Sequence, residues 1–313
     1  MILALSLILP LARCPGGSSS DSSAALLGLL GGGGAGSASN TAATLPQCTA
    51  ALCLNGNVSG LISGATLVIA NGGNTYTLPE NGSFGLNAQT GDNYTITVQT
   101  QPTTLRCIVT NGTGTVEATS IDNIVVTCPM AYKNNLVWNR CSHGQQWNAT
   151  TGDCTGTGNS GNNYGATTVQ YCSTQNNACN DSTSGGETNV TGHLNGGGTS
   201  SLYTACNGLG LGGRSWRVPW RDELKQLVHC SNGTPIPLND FSTCGGGAFS
   251  PTIDSTVFPN ALAAQYWSSS VFADATGFNG WHIHFNSGIS SLSNSVGESI
   301  QSVHYVRCVS TGP

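Results

Sequence analysis

Thirteen cysteines in 313 residues constrain this chain more than any other feature of it. An odd number cannot close completely into intramolecular disulfides, so one thiol must have another fate. Cys14 is the candidate, because it stands directly after an apolar N-terminal run while the other twelve lie between Cys48 and Cys308. Set it aside, and an even set remains that can pair fully in an oxidising compartment. The expectation is an exported, cross-linked protein.

The residues before Cys14, MILALSLILPLAR, hold an apolar stretch too short for a bilayer span, which needs roughly 20 apolar residues. The stretch suits the core of a signal peptide over residues 1–14. No Lys or Arg precedes it, and Arg13 stands where a signal peptidase normally meets a small residue, so whether Met1 is the true start stays open. Leu11-Ala12-Arg13-Cys14 resembles a loose bacterial lipobox, whose cysteine is diacylated and becomes the new N-terminus. That resemblance implies palmitate-type chains on Cys14, the membrane as a partner, and a lipid-anchored location on the bacterial outer membrane facing the cell surface. The alternative is a cleaved leader with Cys14 unpaired. At about 0.8 kcal/mol per buried methylene, two or three acyl chains hold a protein stably where one does not. Residues 15–44 are rich in Gly, Ser and Ala, with a single charge, Asp21, and an apolar island from Ala24 to Leu30. They read as a flexible tether.

Only 7% of the residues are charged, with 9 Lys and Arg against 14 Asp and Glu, a net charge of −5. Nucleic acid as a partner is disfavoured, since it calls for a basic stripe. No phosphate-binding or dinucleotide glycine motif joins a strand to a helix, and no cofactor is expected. GGGGAG is not a Gly-X-Y repeat, so no collagen stalk is present. Roughly 270 residues follow the tether, which suggests two domains.

Residues 45–129 are all-β by pattern. Thr66–Ala70 and Thr75–Leu78 flank Asn71-Gly72-Gly73-Asn74, a glycine-permitted hairpin. Asn93–Gln99 alternates Tyr94, Ile96 and Val98 against threonines, Leu105–Thr110 follows, and Ile124–Cys128 is expected to end the unit. Short strands with Gly, Asn and Pro turns indicate a β-sandwich. Gly60-Leu61, Asn81-Gly82-Ser83-Phe84, Gly91-x-x-Tyr94-x-Ile96-x-Val98, Cys107-x-Val109-x-Asn111-Gly112 and Val125-Val126-x-Cys128 together resemble a bacterial immunoglobulin-like repeat used as a spacer in surface lipoproteins. The resemblance implies that Cys107 pairs with Cys128, and Cys48 and Cys53 remain for each other.

Residues 130–313 carry all six tryptophans and eight cysteines. Ser215–Val228 reads as a helix, with Pro219 near its start, Asp222 and Glu223 in its first turn and Leu224, Leu227 and Val228 on one face. A second helix is expected through Leu202–Cys206. Strands are expected at Tyr266–Ser269, Trp281–Phe285 and Val303–Val309. Residues 155–200 read as long Gly, Asn, Ser and Thr loops, uncommon in a compact domain unless functional or mobile.

Trp138-x-Arg140-Cys141-x-x-Gly144-x-x-Trp147, Cys154, Cys206, Trp216-Arg217-x-Pro219-x-Arg221-x-Glu223-Leu224, Tyr266-Trp267-Ser268-Ser269, Trp281-x-x-x-Phe285-x-x-Gly288 and Tyr305-Val306-Arg307-Cys308-Val309 together resemble the Lcl C-terminal-domain family. That family takes its name from the Legionella collagen-like adhesin and is grouped with C-type-lectin-like and formylglycine-generating-enzyme-like folds. The resemblance implies an α+β module with two helices, a small antiparallel sheet and long loops, and a disulfide between Cys206 and Cys308. Sequence proximity adds Cys141 with Cys154, Cys172 with Cys179, and Cys230 with Cys244. Four cysteines in one domain and eight in the other allow about 315 pairings, so this set is one choice among many. The expected fold is thus a disulfide-rich pair of domains, an immunoglobulin-like β-sandwich over 45–129 and an α+β C-type-lectin-like domain over 130–313.

Where the family usually has a helix-capping Thr after the proline, this chain has Trp220; a lost cap costs about 1 kcal/mol. The indole either folds over the core or stands exposed as a platform for a sugar ring or a protein. Trp138, Trp216, Trp267 and Trp281 are assigned to the core, and Arg217 and Arg307 to carboxylates such as Glu223. His282 and His284, two apart on a strand, share a face and are candidate ligand-binding residues together with Trp220; His304 could complete a set, though no metal is assigned. The calcium signatures of C-type lectins, Glu-Pro-Asn or Gln-Pro-Asp with Trp-Asn-Asp, do not occur. Sequons at Asn148, Asn189 and Asn232 are incidental in a bacterial lipoprotein. The function expected is a calcium-independent, non-catalytic binding module or adhesin for a host glycan or an extracellular matrix protein. A structural envelope lipoprotein is the alternative. A formylglycine-generating type of enzyme comes behind both, because its chemistry needs free thiols that an even, oxidised cysteine set does not leave.

Overall fold

Six strands form one sheet around a single long strand, and the reason lies in how that strand's two edges are satisfied. The computed structural model describes residues 44–312 apart from 159, 180–193, 197–198, 237–241, 247, 249, 275–276 and 293–298. Cys14, the signal segment, all but the last residue of the tether and Asn189 lie outside the described residues. β1 (Leu52–Ser59), β2 (Leu67–Asn71), β3 (Asn74–Leu78), β4 (Gly82–Ala88), β5 (Asn93–Thr100), β6 (Leu105–Thr110), β7 (Thr113–Thr115) and β8 (Ile121–Lys133) build two sheets. One runs β3-β2-β5-β7; the other contains β4, β1, β8 and β6. A single apolar cluster takes Leu54, Phe84, Leu105 and Val126 from one sheet and Leu67, Ile69, Leu78 and Ile96 from the other.

β8 does not stop at Cys128 as the sequence suggested. It crosses the expected boundary at 129/130, and contacts gather residues 42–313 into one unit. Its first half pairs in parallel with β1, from Leu54 opposite Ile121 to Ser59 opposite Thr127. Residues 125–131 pair with β6 along the other edge. Where β1 ends, β9 (Leu136–Asn139) takes over and pairs with Met130–Lys133. Pro129 has no N–H for a ladder, and it sits at the register shift between β6 and β8, where proline is tolerated.

Arg140, the residue after β9, closes this handover. Its Nη1 donates to Gly60 O and Cys128 O, both at 2.7 Å, its Nε to Val257 O at 2.6 Å and its Nη2 to Thr256 O at 3.1 Å. The side chain is buried, and it stacks 4.8 Å from the ring of Trp147. Gly60 must be glycine here: its φ is +79°, and a Cβ would stand 2.5 Å from the Trp147 ring.

Beyond β9 the chain forms the hairpin β10 (Gln146–Asn148) and β11 (Asp153–Thr155), then β12 (Val169–Gln170). α1 (Ser201–Asn207) is capped by the Ser200 hydroxyl, which accepts the Tyr203 N–H, and α2 (Arg221–Lys225) is shorter than expected. Leu224, Leu227 and Val228 are buried, as their spacing implied. A three-stranded antiparallel sheet follows, β13 (Gln265–Asp274), β14 (Gly277–His284) and β15 (Ile289–Leu292). The expected strand Val303–Val309 is broken into β16 (Val303–His304) and β17 (Val309–Thr311). β16 pairs with β12, Tyr305 exchanges backbone bonds with Gln265 and Trp267, and β17 pairs with β9. One segment with three sets of partners cannot hold the direction of a single strand.

The described residues are therefore disulfide-rich and mostly β. Six disulfides join Cys48 to Cys53, Cys107 to Cys128, Cys141 to Cys154, Cys172 to Cys179, Cys206 to Cys308 and Cys230 to Cys244. These are the pairs named from resemblance and proximity. The described part of the 155–200 segment is pinned by a core disulfide, Cys172–Cys179, and by Tyr171, whose hydroxyl donates to Ser269 O at 2.7 Å.

Two outcomes are expected. Arg140→Lys replaces a planar fork with an ammonium that cannot serve carbonyls from three chain segments, and should destabilise by about 3 kcal/mol, read as a lower urea midpoint at unchanged m-value; an unchanged midpoint would mean those carbonyls find other donors. Removing Cys206–Cys308, with 102 residues of separation, should lower stability by about 4–5 kcal/mol in the chain-entropy account. Removing Cys48–Cys53, with 5, should cost about half as much, and equal losses in the two double-alanine variants would overturn the loop-length argument.

Candidate binding site

Trp220 sits in extended backbone at the N-cap of α2, with φ −68° and ψ 162°. Its indole is 38% exposed; among the described residues only Val303 is another exposed large apolar side chain. An indole cannot accept a capping bond, so the capping is one-sided: Glu223 Oε2 accepts the Trp220 N–H at 2.8 Å. Glu223 also takes a two-pronged ion pair from Arg217, at 2.6 and 2.7 Å. The Arg217 guanidinium in turn lies 5.1 Å from the centre of the Trp220 ring. Carboxylate, guanidinium and indole thus form one braced stack.

Two clefts meet at that indole, and among the described residues Trp220 is the one lining both. The larger, about 300 Å³, lies toward the β8–β9 turn and is lined by Asn134, Asn135, Leu136, Trp138 and Gln226. The smaller, about 170 Å³, is lined by Tyr203, Asn207, Trp216 and Val218. Asn134 and Asn135 have φ of 55° and 61°, the left-handed pair of a tight hairpin turn, a conformation asparagine tolerates. Asn134 Nδ2 donates to Gln226 Oε1 at 2.6 Å, tying the turn to α2. The sequence reading missed these amides; the Asn-Asn pair between two apolar runs was the available signal.

His282 and His284 do share a face, with ring centres 4.7 Å apart and their Nε2 atoms 2.8 Å apart. They do not form an exposed strand face. His282 is 1% exposed because β14 packs this side against Trp267 and His304, whose ring centres lie 5.7 and 4.8 Å away. A ligand arriving from solvent does not reach it, and His284 is only half-buried. Among the described residues, no group of three or more His, Cys, Asp or Glu is placed to hold a metal ion. Burial first, then the neighbouring His304 and His284, pushes His282 down to about 2, against one raising hydrogen bond with Gly280. Burial pushes His304 down to about 4.

The cations of residues 130–313 are held by the fold. Arg140 and Arg307 are buried, and Arg307 donates to Asn139 O, Arg140 O and Ser142 Oγ rather than to the carboxylate expected. Arg217 holds Glu223, Arg221 donates to Asp222 at 2.9 Å, and Lys225 is 3% exposed. Arg214 bonds the C-terminal carbonyls of Thr311 and Gly312. Lys133 is half-buried beside Asp254, its amine pushed down by burial, with Asp254 opposing. Trp138, Trp216, Trp267 and Trp281 are buried.

The fold and this site define a disulfide-rich, mostly β protein that displays a braced indole between two clefts. A family model described as the Lcl C-terminal domain matches residues 131–310, more than half of the chain. The chain belongs to the Lcl C-terminal-domain family. No curated protein and no solved structure matches it.

The histidine cluster makes a pH prediction. An unfolded histidine protonates near 6.5, whereas folded His304 does so only at about 4 and His282 at about 2. The unfolded chain therefore binds more protons below 6.5, and stability is full above that pH and lost as pH falls toward 4, by about 2 kcal/mol for His304 after screening. Melting curves from pH 7.5 to 4 should show the loss, and His304→Phe should reduce it, leaving the part that His282 contributes; a wild-type melting temperature constant over that range would overturn the assignment.

Proposed function

We propose that this protein is a surface-anchored, non-catalytic binding module, an adhesin for an extracellular glycan or matrix protein. In this reading residues 1–14 are a lipoprotein signal peptide, Cys14 carries the acyl chains that hold the protein to the bacterial outer membrane, and residues 15–44 lift it off the lipid. Residues 45–129 serve as an immunoglobulin-like spacer, a reading supported by the two sheets around one apolar cluster. Residues 130–313 are the C-type-lectin-like binding domain, supported by two short helices, a small antiparallel sheet and the Cys206–Cys308 link between α1 and the last strand.

The observation that carries the binding role is Trp220, exposed yet held rigid between two clefts. A rigid, exposed aromatic gives contact area at little entropic cost to a partner. The engagement of all twelve cysteines after Cys14 in disulfides speaks against a thiol enzyme. Binding without calcium agrees with the missing calcium signatures.

Protease treatment of intact cells should cleave the wild-type protein, and Cys14→Ser should lose both incorporation of a labelled fatty acid and the cell-surface fraction. The full-length protein on an array of glycans and matrix proteins should give signals that survive a calcium chelator. Protection from the protease together with an empty array would instead favour a structural envelope lipoprotein.

A further inference from the structure

We infer that the two clefts form one extended site for a neutral oligosaccharide of at least two sugar rings, which straddles Trp220 with a unit on each side. The inference rests on the binding-module reading and adds the ligand class and the way it lies. A pyranose presents an apolar C–H face and a rim of hydroxyls that both donate and accept. It therefore fits an aromatic plate bordered by amides, which also do both. Trp220 is the plate, and among the described residues it is the single wall residue the two clefts share.

The larger cleft supplies the rim on one side. After the Asn134 to Gln226 bond, Asn134 keeps Oδ1 as an acceptor and Gln226 keeps Nε2 as a donor. Asn135 Oδ1 accepts from the Tyr132 hydroxyl at 3.1 Å, which leaves its Nδ2 to donate. On the other side Tyr203 offers a second ring and Asn207 an exposed amide. The two clefts are about 300 and 170 Å³, each on the scale of one or two sugar units and together within the range of ligand sites.

Charge selects against acidic sugars. Among the described residues Arg217 is the one cation lining either cleft, and it is paired with Glu223, while Asp222 in the larger cleft is paired with Arg221. A sulfate or uronate would find both of these cations already engaged by carboxylates.

The test is titration of the full-length protein with gluco-, manno- and N-acetylglucosamine oligosaccharides of one to six units, alongside a heparin-derived hexasaccharide. For at least one neutral series, affinity should rise tenfold or more between one and three units and then level off, and the heparin hexasaccharide should bind at least tenfold more weakly. Trp220→Ala should weaken the trisaccharide at least tenfold and Trp220→Phe less. Asn135→Ala and Asn207→Ala, on opposite sides, should each weaken it several-fold; all four variants can be checked for folding by near-ultraviolet circular dichroism. Affinity independent of chain length, preference for the sulfated sugar, or unchanged binding by folded Trp220→Ala would each overturn the inference. If no neutral sugar binds but a matrix protein does, the saccharide inference is lost and the binding-module reading stands. If nothing binds and the protein is shielded on cells, both are lost.

Discussion

The fold depends on one buried guanidinium. Arg140 receives no carboxylate in return for its burial; it is satisfied by four backbone carbonyls from three separate stretches, Gly60, Cys128 and Thr256–Val257. A planar donor with five N–H groups is the side chain able to serve so many acceptors at once, and a buried charge is tolerated only when its donors are met. Burial first and then nearby Arg307 push its pKa down to about 10, with Asp254 opposing. It stays a cation across the physiological range. Arg307 extends the same scheme by donating to the carbonyls of Asn139 and Arg140, so one arginine holds the backbone that carries the other.

This arrangement explains why the expected boundary at 129/130 was misleading as a place for the strand to end. The strand pattern, the tryptophans and the cysteine grouping all change there, and Pro129 stops the ladder for want of an N–H. The stop is only local. β6 continues across it on one edge, β9 replaces β1 on the other, and Arg140 fills the gap between them. A long-range handover of this kind depends on residues 80 apart, Gly60 and Arg140, and no local window of sequence contains it.

Much of the rest was legible, and the failures have physical causes. Strands with alternating Thr and aliphatic residues, such as β5, could be read because one face is wet. β1 and β4 could not, since Asn55, Gly56, Asn57 and Gly85 interrupt their alternation; Gly56 and Gly85 are small because Phe84 and Cys48 pack where a Cβ would go. At the site, Trp220 was conspicuous as a departure from the family pattern. The brace that holds it outward was only half visible, since the Arg217 to Glu223 spacing fits a pair but says nothing of the indole against it. The histidine pair failed differently: period two put His282 and His284 on one face, as it should, but periodicity does not say which face of a three-stranded sheet is covered.

The same economy of charge that builds the interior shapes the surface. Residues 130–313 have seven Lys and Arg. Two are buried on carbonyls, two hold the acids of α2, one is buried in α2, one fastens the C-terminus and one lies half-buried beside Asp254. With cations so few and so fully engaged, electrostatic attraction to polyanions cannot be the main source of affinity for a partner. On the binding-module reading proposed above, recognition then comes from shape, aromatic contact and amide hydrogen bonds. Those are the properties gathered around Trp220. The disulfides serve that outcome as well: Cys206–Cys308 ties α1, which carries Tyr203 and Asn207, to the segment leading into β17, and β17 pairs along β9 until Thr311 stands opposite Leu136, the residue that follows the β8–β9 turn. The two walls of the paired clefts are thus joined through covalent and ladder contacts, which holds their spacing when a ligand is absent.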